Sequence, residues 1–260
     1  MFAPATTLGA QSGVRDNVSC NKRGLARDAK KSARYEALLS REYHTLCQLA
    51  HPRIIEVYDY GVDSSGPYYV MELLDGNDLD ASGRLPWQDA CPLLRDVASS
   101  LAILHARGLL HRDVSARNVR RTSDGRAKLI DFGAMTSMGV PKAIVGTPPF
   151  MAPEVLQMQT LDGRADLFSL GALAYRLLTG RHAYPARHTK DLRDIWRSRP
   201  QTPARRIAEM PSALSELVME LLAPWRCSSA SAECPRTPAS YASSCVFPTA
   251  THRRLAPTLS

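Results

Sequence analysis

His111-Arg112-Asp113-Val114-Ser115-Ala116-Arg117-Asn118 sets an asparagine after a His-Arg-Asp triplet and four intervening residues. Two further short words follow in order, Asp131-Phe132-Gly133 and then Ala152-Pro153-Glu154. Between the first and second, Asn118 to Arg121 and Arg126 to Ile130 read as short strands around Ser123-Asp124-Gly125, a hairpin turn. Asp131 therefore stands directly after a strand. An aspartate near a strand end is ordinarily a turn or cap residue. Any one of these words arises by chance in a chain of this length, but the three in this order and in this strand and loop context do not.

Working outward, Leu38, Leu39, Leu46 and Leu49 recur at helical spacing and predict a helix over Ser32 to Ala50, closed by His51-Pro52. Glu42 lies four residues from both Leu38 and Leu46, so it falls on the apolar face, where a carboxylate needs a partner. A carboxylate at the edge of the stripe, reaching solvent, is the other reading. Ile54 to Tyr60 and Tyr68 to Leu73 are rich in β-branched and aromatic residues and read as a hairpin around Asp63-Ser64-Ser65-Gly66-Pro67. Beyond it helices dominate: Trp87 to Arg107, stopped by Gly108; Gly163 to Thr179, apolar nearly all round and stopped by Gly180; and Pro211 to Ala223.

In these residues the sequence resembles the protein kinase superfamily. His111 to Asn118 has the spacing of the catalytic loop HRDxxxxN, followed by DFG and APE, and GTPPFMAPEVL from Gly146 to Leu156 is similar to the bacterial, eukaryotic-like serine/threonine branch. The resemblance runs from Tyr35 to Ala223. It implies an α+β, two-lobed fold, with a small antiparallel-sheet lobe over residues 32–74 and a helical lobe over 75–223. It also implies an ATP- and magnesium-dependent enzyme acting on serine or threonine hydroxyls of proteins, itself included. Asp113 would then accept or orient the hydroxyl proton, while Asn118 and Asp131 would hold magnesium. Met71 matches the gatekeeper, and the backbone of Glu72 and Leu74 would meet the adenine. Asp166 would hold the catalytic-loop backbone. Lysine is usual two residues after the catalytic aspartate; Ser115 stands there, and Arg117 is the expected substitute near the transferred phosphoryl group.

The start of the chain departs from that pattern. Lys22 is at the distance from Glu42 expected of the phosphate-anchoring lysine, but Asn21 and Gly24 are poor strand formers. Lys22 reads equally as anchor or as a solvated surface lysine. Leu8-Gly9-Ala10-Gln11-Ser12-Gly13-Val14 keeps two glycines at altered spacing where a phosphate-covering loop needs them at set positions. Residues 1–31 are thus expected to be an atypical start of the small lobe. The arginine that would pair with Glu154 has no evident match in Ala223 to Cys227. A catalytically impaired or truncated kinase acting through protein binding is the alternative reading.

Regulation by phosphorylation fits Arg112 beside Asp113, with Thr136 and Ser137 ranked ahead of Thr147 as acceptors. At 44% hydrophobic residues the chain can build a substantial core. The formal charge of +8 comes largely from arginines spread over Arg107 to Arg206. Without interleaved aromatics it reads as a solvated basic surface, so no nucleic acid is expected. The six cysteines form no CxxC pair, as suits reduced cytoplasmic thiols. No apolar run reaches the roughly 20 residues that span a bilayer. Residues 224–260 turn to Ser, Ala, Pro and Thr and read as an unfolded tail.

Overall fold

A computed structural model describes residues 9–11, 19–23 and 29–223. The expected tail at 224–260 lies outside the described residues, as do Leu8 and positions 12–14 of the altered glycine segment. The small lobe opens with β1 (Gly9–Gln11) and β2 (Ser19–Arg23), continues through α1 (Ala29–Cys47), and closes with β3 (Val57–Asp63) and β4 (Gly66–Glu72). The four strands form one antiparallel sheet in the order β1-β2-β4-β3. In the β3–β4 hairpin, Asp63 Oδ1 accepts from Ser65 N–H at 2.7 Å, and Gly66 adopts φ 116°, a conformation that favours glycine.

α1 begins and ends three residues earlier than the apolar spacing predicts; at its end Gln48 and Leu49 close tighter turns onto Thr45 and Leu46. Its buried stripe is Leu39, Glu42, Leu46 and Leu49, whereas Leu38 is exposed. β2 is a second departure. Despite Asn21, all five residues pair with β4, from Ser19 opposite Glu72 to Arg23 opposite Tyr68. Neighbouring strands on both sides complete a ladder that propensity alone would not support.

The second lobe follows α2 (Trp87–Ala106), β5 (Leu109–Leu110), β6 (Val119–Arg121), β7 (Ala127–Leu129), β8 (Thr136–Ser137), α3 (Pro153–Leu156), α4 (Gly163–Thr179), α5 (Leu192–Ile195) and α6 (Ser212–Leu221). α2 buries Leu93, Leu94, Val97, Leu101 and Leu104 against α4, and Gly108 ends it at φ 67°. α4 is capped by Asp162, which accepts from Arg164 N–H at 2.9 Å, and ends at left-handed Gly180. It is buried nearly all round. α6 approaches so closely that a side chain at Gly171 would meet Leu221 at 2.6 Å.

β6 and β7 form the hairpin that follows residues 111–118, and β5 pairs with β8. Ile55 N–H donates to Leu129 O at 3.1 Å, and Leu129 N–H to Arg53 O at 2.8 Å, so the segment after α1 is sewn to β7. Buried Asp96 on α2 accepts from Arg126 Nε and Nη2 at 3.0 and 2.9 Å and from Ala127 N–H at 3.0 Å, with Arg53 Nε at 3.6 Å. No helix among the described residues is long and apolar enough to cross a membrane.

Candidate active site

Residues 111–118 cross from β5 to β6 as an extended loop with a short helical turn at Ala116–Asn118. Its anchor is Asp166, wholly buried on α4, which accepts from Arg112 N–H at 2.8 Å and from His111 N–H and His105 Nε2 at 2.9 Å. Burial alone would raise this carboxyl's pKa; the hydrogen bond from His105 and the charges of His105 and His111 outweigh it and set it below the ordinary value. Arg112 holds φ 68°, a left-handed conformation unusual for a side-chain-bearing residue. Its guanidinium donates to Ala143 O across the loop after β8, and burial lowers its pKa.

Asp113 is fixed from two sides. Oδ1 accepts from Thr147 N–H at 2.9 Å and Thr147 Oγ1–H at 2.7 Å; Oδ2 accepts from Asn118 Nδ2 at 3.0 Å. Asn118 Nδ2 also donates to Asp113 O at 2.8 Å. Both bonds use the amide nitrogen, so Oδ1 is the acceptor that Asn118 keeps outside them. Asp131 follows β7 with φ 59°, exposes its carboxylate and accepts from Gly133 N–H at 3.3 Å. Phe132 beside it is buried edge-on against His111, ring centres 4.8 Å apart. Glu42 enters from α1, where its Oε1 accepts from Phe132 N–H and from the Tyr69 hydroxyl, both at 3.0 Å. The helix of the small lobe is thereby tied to the loop that carries Asp131.

A family model described as the protein kinase domain matches residues 14–232. The chain belongs to the protein kinase family. It is 31% identical over 209 residues to the serine/threonine-protein kinase ULK1 of Homo sapiens, covering 74% of this chain and 20% of that protein. To serine/threonine-protein kinase PknL of Mycobacterium tuberculosis it is 37% identical over 151 residues, 54% of this chain and 37% of the relative. To serine/threonine-protein kinase pkn2 of Myxococcus xanthus it is 31% identical over 215 residues, 76% and 26%. The chain thus spans only a fifth to little more than a third of these relatives' lengths.

Around the hinge of this kinase domain, Met71 is half-buried and stands opposite Cys20 on β2 and Val57 on β3. Glu72 N–H donates to Glu56 O at 3.0 Å, and the Glu72 carboxylate accepts from Glu56 N–H at 2.8 Å and from Lys128 Nζ at 2.5 and 2.6 Å. Leu74 is half-buried. The Lys128 clasp and the Thr147 hydroxyl on Asp113 have no sequence signal, since their partners lie 56 and 34 residues away.

Arg117 stands apart from the other loop residues. Its side chain is 79% exposed and its Nε lies 3.4 Å from Asp80 Oδ2. Lys22 takes the register position opposite Tyr69. Among the described residues no lysine or arginine forms an ion pair with Glu154, whose carboxyl is pushed above its ordinary pKa chiefly by burial. Thr136 and Ser137 form β8, with Ser137 exposed.

Proposed function

We propose that this domain is an active serine/threonine protein kinase. It transfers the γ-phosphoryl group of ATP to protein hydroxyls in cytoplasmic signalling, its own activation segment among them. The observation that carries the reading is the set of contacts on Asp113, which aim one carboxylate with a threonine, an asparagine and a buried aspartate behind the loop. In the transfer, the substrate oxygen attacks phosphorus, the bond to the bridging oxygen of ADP breaks, and Asp113 takes the hydroxyl proton. Phosphoryl transfer relies on positioning and on charge stabilisation, so a preset carboxylate fits the task.

Asn118 Oδ1 and the carboxylate of exposed Asp131 are oxygen donors that would hold magnesium, a cation that would supply positive charge against the phosphates. Met71, with the backbone of Glu72 and Leu74, lines the adenine side, with the Glu72 side chain turned to Lys128. Lys22 anchors phosphate with Glu42 behind it. Support comes from the β2 register, which sets position 22 opposite Tyr69, whose hydroxyl donates to Glu42. Arg117 supplies the cation that Ser115 does not. Its exposed pair with Asp80 contributes no more than about 1 kcal/mol and opens readily.

The altered glycine spacing around Gly9 and Gly13 favours one rival, a domain that binds partners without turnover. A thermal shift on adding ATP separates the two. The proposal expects a magnesium-dependent rise in Tm that Asp131→Asn abolishes; an unchanged Tm with ATP and magnesium supports the rival.

A further inference from the structure

The surplus of positive charge is concentrated, not spread. Residues 181–206 hold seven arginines and Lys190 against Asp191 and Asp194, a surplus of six out of the chain's formal +8. Asp194 pairs with Arg197 at 3.3 Å and Asp191 with His188 at 3.5 Å. The other six arginines and Lys190 are exposed, and among the described residues none forms an ion pair. The segment that carries them is firmly seated: Ala183, Tyr184, Ala186, Leu192 and Pro203 are buried, and Tyr184 stacks on Phe168 of α4 at 5.8 Å. Cations are therefore presented from a fixed backbone and have no use within the fold.

The charge continues to the catalytic loop. Arg176, in the last turn of α4, donates to Gly180 O at 2.9 Å just before the segment begins, and its Nη2 lies 3.9 Å from Asp80 Oδ1. Arg117 takes the other oxygen of the same carboxylate at 3.4 Å. Two guanidiniums on one carboxylate leave a net positive charge four residues from Asp113.

We infer that the surface from Arg117 and Arg176 through residues 181–206 docks an acidic segment of the protein substrate. Near-exclusive use of arginine fits planar, two-pronged recognition of carboxylates. None of the exposed large apolar residues falls within 181–206, so nothing is present to insert into a membrane. Tyr184 is buried and Trp196 half-buried against the core, which leaves no platform for stacking bases. This surface rests on the kinase reading only in that its ligand is also the substrate.

The test uses the full chain and fluorescent serine peptides flanked by glutamates or by glutamines. Duplex DNA and phosphatidylserine vesicles serve as competing probes, and the variant carries Arg187→Gln, Arg193→Gln, Arg199→Gln and Arg205→Gln. The glutamate peptide is expected to bind more tightly than any other probe, with affinity falling steeply as salt rises. The variant should raise both its Kd and its KM about tenfold, the joint loss of four exposed ion pairs, with kcat and the KM for ATP unchanged. Lysine at the same four positions keeps the charge without the planar fork and should restore only part of the binding. Equal affinity of wild type and glutamine variant, or tighter binding of DNA or vesicles than of the glutamate peptide, overturns the inference. Salt-dependent peptide binding without any phosphoryl transfer leaves the docking surface standing and removes the kinase reading instead.

Discussion

Replacing Asp166 with asparagine asks whether the catalytic loop is held from the core of the large lobe. The carboxylate receives Arg112 N–H on Oδ1 at 2.8 Å and both His111 N–H and His105 Nε2 on Oδ2 at 2.9 Å. Asparagine has the same shape but only one acceptor oxygen. With that oxygen kept on Arg112, the amide nitrogen faces His111 N–H, and a buried donor loses its acceptor. An unpaired buried group costs about 1–3 kcal/mol, and the surviving bond drops from the charged to the neutral class for roughly 1 kcal/mol more. A net loss of about 3 kcal/mol lowers Tm by roughly 6–12 °C in a domain of this size. Freed from its anchor, left-handed Arg112 relaxes and moves Asp113, so kcat should fall about 10²-fold.

The pH dependence sharpens this test. A carboxyl whose folded pKa is lowered contributes stability above its ordinary pKa of about 3.9 and loses it as pH falls through the lower folded value. Calorimetry of both proteins should therefore show a Tm difference that does not close between about pH 8 and about pH 5. A difference under about 2 °C at neutral pH, or one that vanishes by about pH 5, refutes the reasoning.

Gly76→Ala should be poorly tolerated, because the added methyl carbon would sit 1.4 Å from Arg121 O; thermal melts should show a loss of at least about 2 kcal/mol, with a raised KM for ATP because the hinge is adjacent. Met158 holds φ 53° just after α3, so Met158→Gly is expected to raise Tm by a few degrees, about 0.5–1 kcal/mol. Burial raises the Glu154 carboxyl, so its contribution is present below its ordinary pKa and lost as pH rises through the folded value. Glu154→Gln should accordingly leave Tm unchanged or raise it at neutral pH, and a clear fall would mean that a cation holds the carboxylate. The Cys91 thiol is pushed up to about 11 by burial, so peptide mapping after iodoacetamide at mildly alkaline pH should find exposed Cys47 modified and Cys91 intact until the protein is unfolded.

Much of this was legible in the sequence where the signal is local. The long helices follow from leucine spacing, the hairpins from their turn residues, and the burial of Glu42 from its place on the apolar face. Strand β2 was less legible, because Asn21 argues against a strand that only β4 and β1 together complete. The two-residue strands β5 and β8 carry no periodicity at all. Asp113, Asn118 and Asp131 could be singled out from the resemblance that their motifs carry, but what aims Asp113 could not. Thr147 reaches it across 34 residues, and which way Arg117 turns depends on Asp80, 37 residues earlier. Basic character was visible in composition, whereas the seating of residues 181–206 and the exposure of six of their arginines outside any described ion pair needed the structure.

That Asp113 serves phosphoryl transfer, as proposed, is tested by the rate of labelled γ-phosphate transfer from ATP, with magnesium present, to a serine peptide, for wild type beside Asp113→Asn, with melting curves recorded for both. Measurable turnover is expected in the wild type, with a loss of about 10²–10⁴-fold in the variant, whose melting curve should still show a cooperatively folded protein. Equal rates in the two proteins, or no transfer by a folded wild type that binds ATP, would contradict it.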